Sequence, residues 1–254
     1  MVDDATVQDA PAVVLLHGFT NSGASWQPVI SGLGERCRTI APDIRGHASA
    51  GAAVPVTLDT VLLDIGRLEP REFTLAGYSQ GGRIALHAAL EMPGRVARLV
   101  LIGSSPGLAD DAERDARRLA DERLAEQIES LPIEEFARQW AETPILRDIA
   151  CDIAAVSHQD RLRSTPTGLA AALRGLGTGA LPSVWERLPE LAMPVSLIAG
   201  ERDTKFTALA HEMARQIPHA TVTIVPGAGH AVHLERPDAV IQALLAVPGG
   251  QSVA

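Results

Sequence analysis

The chain has 254 residues, of which 46% are hydrophobic, and this length and composition suit one α/β domain with an insertion. Its formal net charge of −9, with no basic run longer than Arg117-Arg118, argues against a nucleic-acid-binding surface. The N-terminus is acidic where a secretory signal would be basic, and no apolar run reaches the length of a transmembrane helix, so we expect a cytoplasmic protein that does not enter a membrane.

Short apolar runs predict strands, at 12–16, 38–41, 73–76, 96–102, 194–199 and 220–225. Segments with helical spacing separate most of them, which is typical of a mostly parallel sheet with helices on both faces. The runs Val13–Leu16 and Leu99–Ile102 are continuously apolar, as expected of strands buried on both faces. One further short strand fits residues 2–8.

The strand pattern stops between about 107 and 188, and three- and four-residue apolar spacing replaces it. We predict one helix over 112–131, a second from Pro132 to Pro144 and a third over 167–176. The expected organisation is a core formed by 1–106 and 189–254, with a helical lid at 107–188 above the catalytic edge of the sheet. An ordinary helical subdomain that closes over nothing is the alternative.

Gly77-Tyr78-Ser79-Gln80-Gly81 follows one apolar run and opens a helix-like segment. In this context G-x-S-x-G predicts a nucleophile elbow, a sharp strand-to-helix turn that presents Ser79 outward. Flanking glycines allow the close backbone approach that such a turn needs. A glycine-rich loop that happens to contain a serine is the alternative.

Two later apolar runs end in candidate partners for Ser79. Asp203 follows the run at 194–199, and His230 lies on the glycine-rich loop after 220–225. A serine hydroxyl becomes reactive when an imidazole takes its proton and a carboxylate fixes the imidazole tautomer. The chain order serine, aspartate, histidine is that of α/β-hydrolases. Taken singly, Asp203 could be a helix cap and His230 a loop residue bonded to its own backbone.

Candidate oxyanion donors follow from the same arrangement. The loop His17-Gly18-Phe19 comes directly after the first predicted strand, and Gln80 follows the serine. We expect the backbone N–H groups of Phe19 and Gln80 to stabilise developing negative charge.

The two cysteines, Cys37 and Cys151, are far apart in sequence, so we expect neither a disulfide framework nor a metal site.

Several segments together resemble a known family: Leu16-His17-Gly18-Phe19, Gly23-Ala24-Ser25-Trp26, Gly77 to Arg83, Trp140 before Pro144, and Gly200 to Phe206. The family is the 2-succinyl-6-hydroxy-2,4-cyclohexadiene-1-carboxylate synthases of menaquinone biosynthesis, in the α/β-hydrolase superfamily. The resemblance implies a lyase that eliminates pyruvate from a cyclohexene substrate, with Ser79 as the base and no hydride cofactor or metal. It also implies a small substrate that carries several carboxylates.

The resemblance further implies a set of substrate-binding residues: Tyr78, Arg83, Arg118, Trp140 and Arg163. Guanidinium groups bind carboxylates through paired hydrogen bonds, which gives a reason for arginines in an acidic protein. A shift of one residue would exchange Arg118 for Arg117, and a shift of two would exchange Arg163 for Arg161. Trp140 could equally pack within the insertion, because its spacing from Phe136 is helical.

Two other functions stay open at this point. A serine hydrolase would use Ser79 as a nucleophile on an ester, thioester or carbon–carbon diketone substrate. A noncatalytic α/β-hydrolase would use the pocket only for binding, and the complete Ser79, Asp203 and His230 set argues against it. The sequence does not indicate the oligomeric state or the substrate range.

Overall fold

The computed structural model describes residues 10–146 and 148–246. Within them the strands are β1 (Ala12–Leu16), β2 (Arg38–Ile40), β3 (Phe73–Tyr78), β4 (Val96–Ile102), β5 (Val195–Gly200) and β6 (Ala220–Val225). All neighbours in this sheet are parallel, in the order β2-β1-β3-β4-β5-β6. The prediction of a mostly parallel sheet is confirmed, and the short strand expected at 2–8 lies outside the described residues.

The α-helices of the same part of the chain are α1 (Gln27–Leu33), α2 (Leu58–Gly66), α3 (Gln80–Glu91), α4 (Asp111–Ser130), α5 (Ile133–Ala141), α6 (Cys151–Arg161), α7 (Pro166–Leu176), α8 (Thr204–Ala214), α9 (Val232–Glu235) and α10 (Pro237–Leu245). Short 3₁₀ segments occur at Gly23–Trp26, Gly34–Arg36, Ala48–Ala50 and Trp185–Glu190. Helices therefore follow most strands, as parallel crossovers require.

The two faces of the sheet carry separate apolar cores. Val14, Leu16 and Leu75 pack with α2, α3 and α8 on one face. Val13 and Leu15 point to the other face, where they pack with α1, α9 and α10. Alternation along each strand places successive side chains on opposite faces, so continuously apolar runs become strands covered on both sides.

The insertion between β4 and β5 has its own small core. Ala125 and Ile128 of α4 pack with Phe136 of α5 and with Leu169 and Leu173 of α7. The three helices predicted here correspond to α4, α5 and α7, and the structure adds α6. The apolar spacing of α6 gave little sign of a helix, because its largest side chains do not all turn inward: Val156 is 63% exposed.

The strand order positions the site. The chain passes from β1 outward to β2 and then returns to β3, so the order reverses beside β1 and β3. Ligands of open α/β sheets bind at such a reversal, beyond the carboxyl ends of the strands. The loop containing Phe19 follows β1 there, and Ser79 follows β3.

Across residues 10–146 and 148–246, no helix combines the length and apolar character needed to cross a bilayer.

Candidate active site

Ser79 occupies the sharp turn between β3 and α3. Its backbone has φ 51° and ψ −110°, a conformation that L-residues rarely adopt. A Cβ on Gly77 would lie 2.4 Å from the carbonyl oxygen of Gly81, and a Cβ on Gly81 would lie 2.3 Å from that of Leu16. Glycine is required at both positions because the backbones approach so closely, and the result is the predicted elbow.

His230 lies between Ser79 and Asp203. Its Nδ1 is 2.6 Å from Asp203 Oδ2, and its Nε2 is 3.1 Å from Ser79 Oγ. An ionised carboxylate only accepts hydrogen bonds, so Nδ1 carries the proton and Nε2 is free to accept from the serine hydroxyl. The imidazole is buried, with the rings of Phe206 and Tyr78 at 4.6 Å and 5.2 Å between centroids.

Asp203 has two tasks at the end of β5. While Oδ2 faces His230, Oδ1 accepts from the backbone N–H of Phe206 at 3.4 Å and caps α8. The sequence is compatible with Asp203 as a helix cap or as the partner of His230, and in the structure the residue does both.

Phe19 and Gln80, whose backbone amides are the two predicted oxyanion donors, line the same cavity as Ser79. Among the described residues, no carbonyl or side chain accepts a hydrogen bond from either amide. Gln80 begins α3, so its N–H is one of the unpaired donors at a helix N-terminus. The geometry leaves both groups available to an oxygen of a ligand.

A cavity of about 690 Å³ contains the triad. Its floor is formed at the carboxyl ends of β1, β3 and β5, and residues of the insertion, including Trp140, Leu146 and Leu173, line it as well. A second cavity of about 680 Å³ lies against α2, α3 and residues 182–187, and it contains none of the triad. We therefore place the candidate site in the first cavity.

Arg83 lines the triad cavity from the first turn of α3. Among the described residues its Nε has no hydrogen-bond partner. Burial, together with the positive charge of Arg117, lowers the pKa of Arg83 to about 10, while Asp121 opposes that shift. The guanidinium remains charged at neutral pH, and this charge lies close to a second arginine.

That second arginine is Arg117 rather than the predicted Arg118. Arg117 lines the cavity, and its Nε donates to Asp121 Oδ1 at 2.7 Å. Arg118 does not line the cavity: its side chain is 61% exposed and 3.7 Å from Asp115, and its Nε donates to the carbonyl of Gly179 at 3.4 Å. Successive residues of a helix point about 100° apart, so only one of the pair can face inward.

The second predicted lid arginine, Arg163, also lies outside the triad cavity. Its side chain is 56% exposed, and it borders a separate surface pocket next to Asp160. Arg161 is buried instead, with its Nε donating to Thr20 Oγ1 at 3.4 Å. Burial lowers its pKa, and the neighbouring Tyr78 opposes that effect. α6 ends at Arg161, and Arg163 belongs to the exposed turn that follows.

Tyr78 and Trp140 both line the cavity. Burial raises the pKa of the Tyr78 hydroxyl, which keeps it protonated and able to donate a hydrogen bond. Trp140 stands edge-on to Phe19 at 5.3 Å and packs against Phe136 at 5.8 Å. It therefore belongs both to the cavity wall and to the packing of the insertion.

Three further buried histidines surround the triad. His17 Nε2 accepts from the backbone N–H of Ile44 at 2.9 Å, which fixes the loop after β1. Burial lowers the pKa of His47 to about 3, and that of His233 to about 3. All three are neutral at physiological pH and support the site without changing its charge.

Comparison with known proteins agrees with this site. A family described as "Alpha/beta hydrolase family" matches residues 13–243. A Bacillus subtilis (strain 168) relative, provisionally named as a 2-succinyl-6-hydroxy-2,4-cyclohexadiene-1-carboxylate synthase, is 37% identical over 93% of this chain and 89% of its own. A Salmonella schwarzengrund (strain CVM19633) protein with that name, without qualification, is 36% identical over 92% of each chain.

A solved structure of MenH from S. aureus superposes with a TM-score of 0.87 and 30% identity, covering 92% of each chain. A malate-bound thermophilic esterase from Thermogutta terrifontis superposes with a TM-score of 0.79 and 26% identity, covering 92% of this chain and 88% of the esterase. The esterase shares the fold, whereas the synthase relatives are more similar in sequence and in structure. This chain belongs to the α/β-hydrolase family and, within it, to the 2-succinyl-6-hydroxy-2,4-cyclohexadiene-1-carboxylate synthases.

Proposed function

We propose that the chain eliminates pyruvate from 2-succinyl-5-enolpyruvyl-6-hydroxy-3-cyclohexene-1-carboxylate to give 2-succinyl-6-hydroxy-2,4-cyclohexadiene-1-carboxylate. The observation that carries the proposal is the pair Arg83 and Arg117 in the same cavity as the Ser79 triad. An apolar ester offers no partner to Arg83, whose buried Nε has none among the described residues, whereas a substrate with several carboxylates pairs with Arg83 and with the neighbouring Arg117. The names of the relatives support the same reaction.

The two compounds differ in a way that defines the chemistry. A proton leaves ring carbon C2, the double bond C3=C4 becomes C2=C3 and C4=C5, and the bond from C5 to the enolpyruvyl oxygen breaks. The electron pair of that bond leaves with the oxygen as the enolate of pyruvate, which takes one proton on its methylene carbon and becomes pyruvate. The step is redox-neutral, so this scheme uses no hydride cofactor.

In this reaction Ser79 is the base that takes the C2 proton, and His230 Nε2 accepts the serine proton across 3.1 Å. Asp203 keeps the imidazole in the required tautomer and stabilises the imidazolium that forms. Negative charge develops on the succinyl carbonyl oxygen, conjugated with C2. The free amides of Phe19 and Gln80 stabilise that charge.

We assign the remaining groups of the cavity to binding. Arg83 and Arg117 hold carboxylates, Tyr78 donates a hydrogen bond, and Trp140 covers the ring. The insertion at 107–188 then acts as a lid over the triad, since Trp140, Leu146 and Leu173 form its side of the cavity.

The free state of Cys37 and Cys151 fits a reducing compartment, which supports a cytoplasmic location.

The deciding experiment measures pyruvate release from freshly generated substrate, above its spontaneous decay. Wild type should release pyruvate rapidly, and Ser79→Ala should lose about 10²- to 10⁴-fold, the usual range for a general base. Ser130→Ala, at the exposed end of α4, serves as the matched control and should behave as wild type. Release no faster than the blank would reject the lyase and direct the search to anionic ester substrates.

A further inference from the structure

Asp160 links the insertion to the loop that carries the Phe19 amide. It lies near the end of α6 and is 7% exposed. Its Oδ2 accepts from the backbone N–H of Ser22 at 2.9 Å and from Asn21 Nδ2 at 3.4 Å, while Oδ1 accepts from Ser22 Oγ. One carboxylate of the insertion therefore satisfies three donors of a single core loop.

Those donors and the candidate oxyanion donor belong to the same turn. The backbone N–H of Asn21 donates to the carbonyl of Gly18 at 3.1 Å, which closes the turn around Phe19 and Thr20. Thr20 has φ 68°, in the left-handed region that a β-branched residue rarely adopts. Such a conformation persists only where surrounding contacts enforce it.

The enforcing contacts come from two sides. On the core side, Asp43 Oδ1 accepts from the backbone N–H of Gly23 at 2.8 Å. On the insertion side, Asp160 holds Asn21 and Ser22, and the next residue, Arg161, donates to Thr20 Oγ1 at 3.4 Å. Arg163 approaches Asp160 to 3.9 Å from the solvent side and leaves the three loop contacts intact.

We propose that Asp160 is a positioning residue for the oxyanion site. Through Asp160, the orientation of the Phe19 amide depends on the position of α6. It does not touch the reacting atoms. When α6 moves away, the Asn21 and Ser22 donors lose their acceptor, the strained turn at Thr20 relaxes, and the Phe19 N–H turns from the cavity. Oxyanion stabilisation is then complete only when the insertion is in place. The inference rests on the proposed function for its kinetic consequence alone.

The test compares Asp160→Ala with Asp152→Ala, an exposed aspartate in the first turn of the same helix. Misplacing a catalytic group by about 1 Å changes rates by about 10²-fold, so Asp160→Ala should lower kcat for pyruvate release by about 10- to 100-fold. Its KM should stay within about twofold, because no carboxylate-binding group is removed. Asp152→Ala should match wild type. Each rate is divided by the fraction of enzyme that binds product, measured by calorimetry. A lower rate caused only by partial unfolding is thereby excluded.

Hydrogen exchange gives a second readout that needs no turnover. Amides of residues 18–25 should exchange faster in Asp160→Ala than in wild type, whereas exchange across the sheet should be unchanged. Ser22→Ala should give a smaller effect of the same kind, and the double variant should resemble Asp160→Ala because both changes remove one interaction. If Asp160→Ala does not fold, Ser22→Ala and Asp160→Asn decide the question by the same two measurements.

Unchanged exchange in residues 18–25 would show that Asp160 does not hold the loop. Faster exchange with an unchanged kcat would show that the loop is held but that oxyanion stabilisation does not depend on it. Either result overturns the proposal. If wild type itself releases no pyruvate, the proposed function fails, and the exchange measurement still reports on the contact between Asp160 and the loop.

Discussion

Arg117 and Asp121 lie one turn apart on α4, with the Nε of Arg117 2.7 Å from Asp121 Oδ1. Asp121 is 3% exposed, and its Oδ2 accepts from the backbone N–H of Gly179 at 3.2 Å. The carboxylate is thus anchored on the segment after α7 and holds Arg117 toward Arg83. Asp121 is bonded to Arg117 and acts on Arg83 through its charge alone, so two guanidinium groups lie near this carboxylate and one positive charge is left for an anionic ligand.

Arg117→Ala should therefore weaken substrate binding. Loss of a charge-assisted hydrogen bond of about 1.5–3 kcal/mol corresponds to a KM raised by about 10- to 100-fold. Arg118→Ala is the matched control from the adjacent position, and it should leave KM and kcat near wild type because its side chain is 61% exposed. Steady-state pyruvate release measures both constants. Equal effects of the two substitutions would contradict the assignment of Arg117 to the site.

Arg161→Met should lower activity without lowering stability. Its Nη1 has no hydrogen-bond partner among the described residues, and a buried charge without full compensation destabilises the folded state. Methionine preserves most of the side-chain volume, so the urea midpoint should be unchanged or higher. The variant loses the hydrogen bond from Nε to Thr20 Oγ1, next to Phe19, so kcat for pyruvate release should fall. Arg163→Met, on the exposed turn, should change neither quantity. A clear drop in the urea midpoint of Arg161→Met would show instead that Arg161 stabilises the fold.

Ser79→Gly should be more stable than Ser79→Ala, although both should lose most of the activity. Residue 79 has φ 51°, which alanine adopts with strain and glycine without it. Such strain is worth about 1–3 kcal/mol, partly offset by the greater unfolded-state freedom of glycine, so we expect a net difference of about 1 kcal/mol. Urea unfolding at equilibrium measures it. Equal stabilities would mean that the elbow stores no backbone strain.

Stability should fall as the pH drops below about 6.5, and His233 should contribute to that fall. Burial, with smaller effects of the neighbouring His230 and His17, lowers the pKa of His233 to about 3 from its usual value of about 6.5. Between these values the unfolded chain binds a proton that the folded chain does not, so protonation favours unfolding. The contribution is fully present above pH 6.5 and is lost progressively toward pH 3.

His233→Leu tests this point, since neither ring nitrogen of His233 has a hydrogen-bond partner among the described residues. Each pKa unit corresponds to about 1.4 kcal/mol, so wild type should lose about 2 kcal/mol more than the variant between pH 6.5 and 5. The free energy of unfolding at the two pH values provides the comparison. An identical loss in both proteins would assign the acid sensitivity to other groups, such as His47, whose pKa burial lowers to about 3.

The helices and strands were predictable where local pattern and tertiary packing agree. Continuous apolar runs such as Val13–Leu16 became strands covered on both faces, and the apolar spacing over 112–131 became α4, with Ile128 in its core although Leu119 is 61% exposed. Helix α6 lacked such a pattern, with Val156 facing solvent. What holds α6 in place includes polar contacts of Asp160 with a loop about 140 residues earlier in the chain, and no local periodicity reports those contacts.

Within the site, too, local sequence does not decide between neighbouring arginines, and tertiary contacts do. Arg117 and Arg118 each have a carboxylate four residues later, Asp121 and Glu122, so sequence spacing supports both equally. The tertiary contacts separate them: Asp121 is buried against the backbone N–H of Gly179 and holds Arg117 at the cavity, whereas Glu122 accepts from Arg174 and Arg118 does not line the cavity. Arg161 and Arg163 likewise differ in burial because α6 ends at Arg161.

By itself the sequence determined the sheet, the elbow at Ser79 and the order of Ser79, Asp203 and His230, since these depend on strand periodicity and on glycines at fixed spacing. Tertiary structure alone decided which arginines enter the cavity, how Asp203 divides its oxygens between a helix cap and His230, and how α6 is fastened to the Phe19 loop. The physical reason is that burial and hydrogen bonding between distant segments depend on how the helices pack over the sheet. Local residue patterns do not predict that packing.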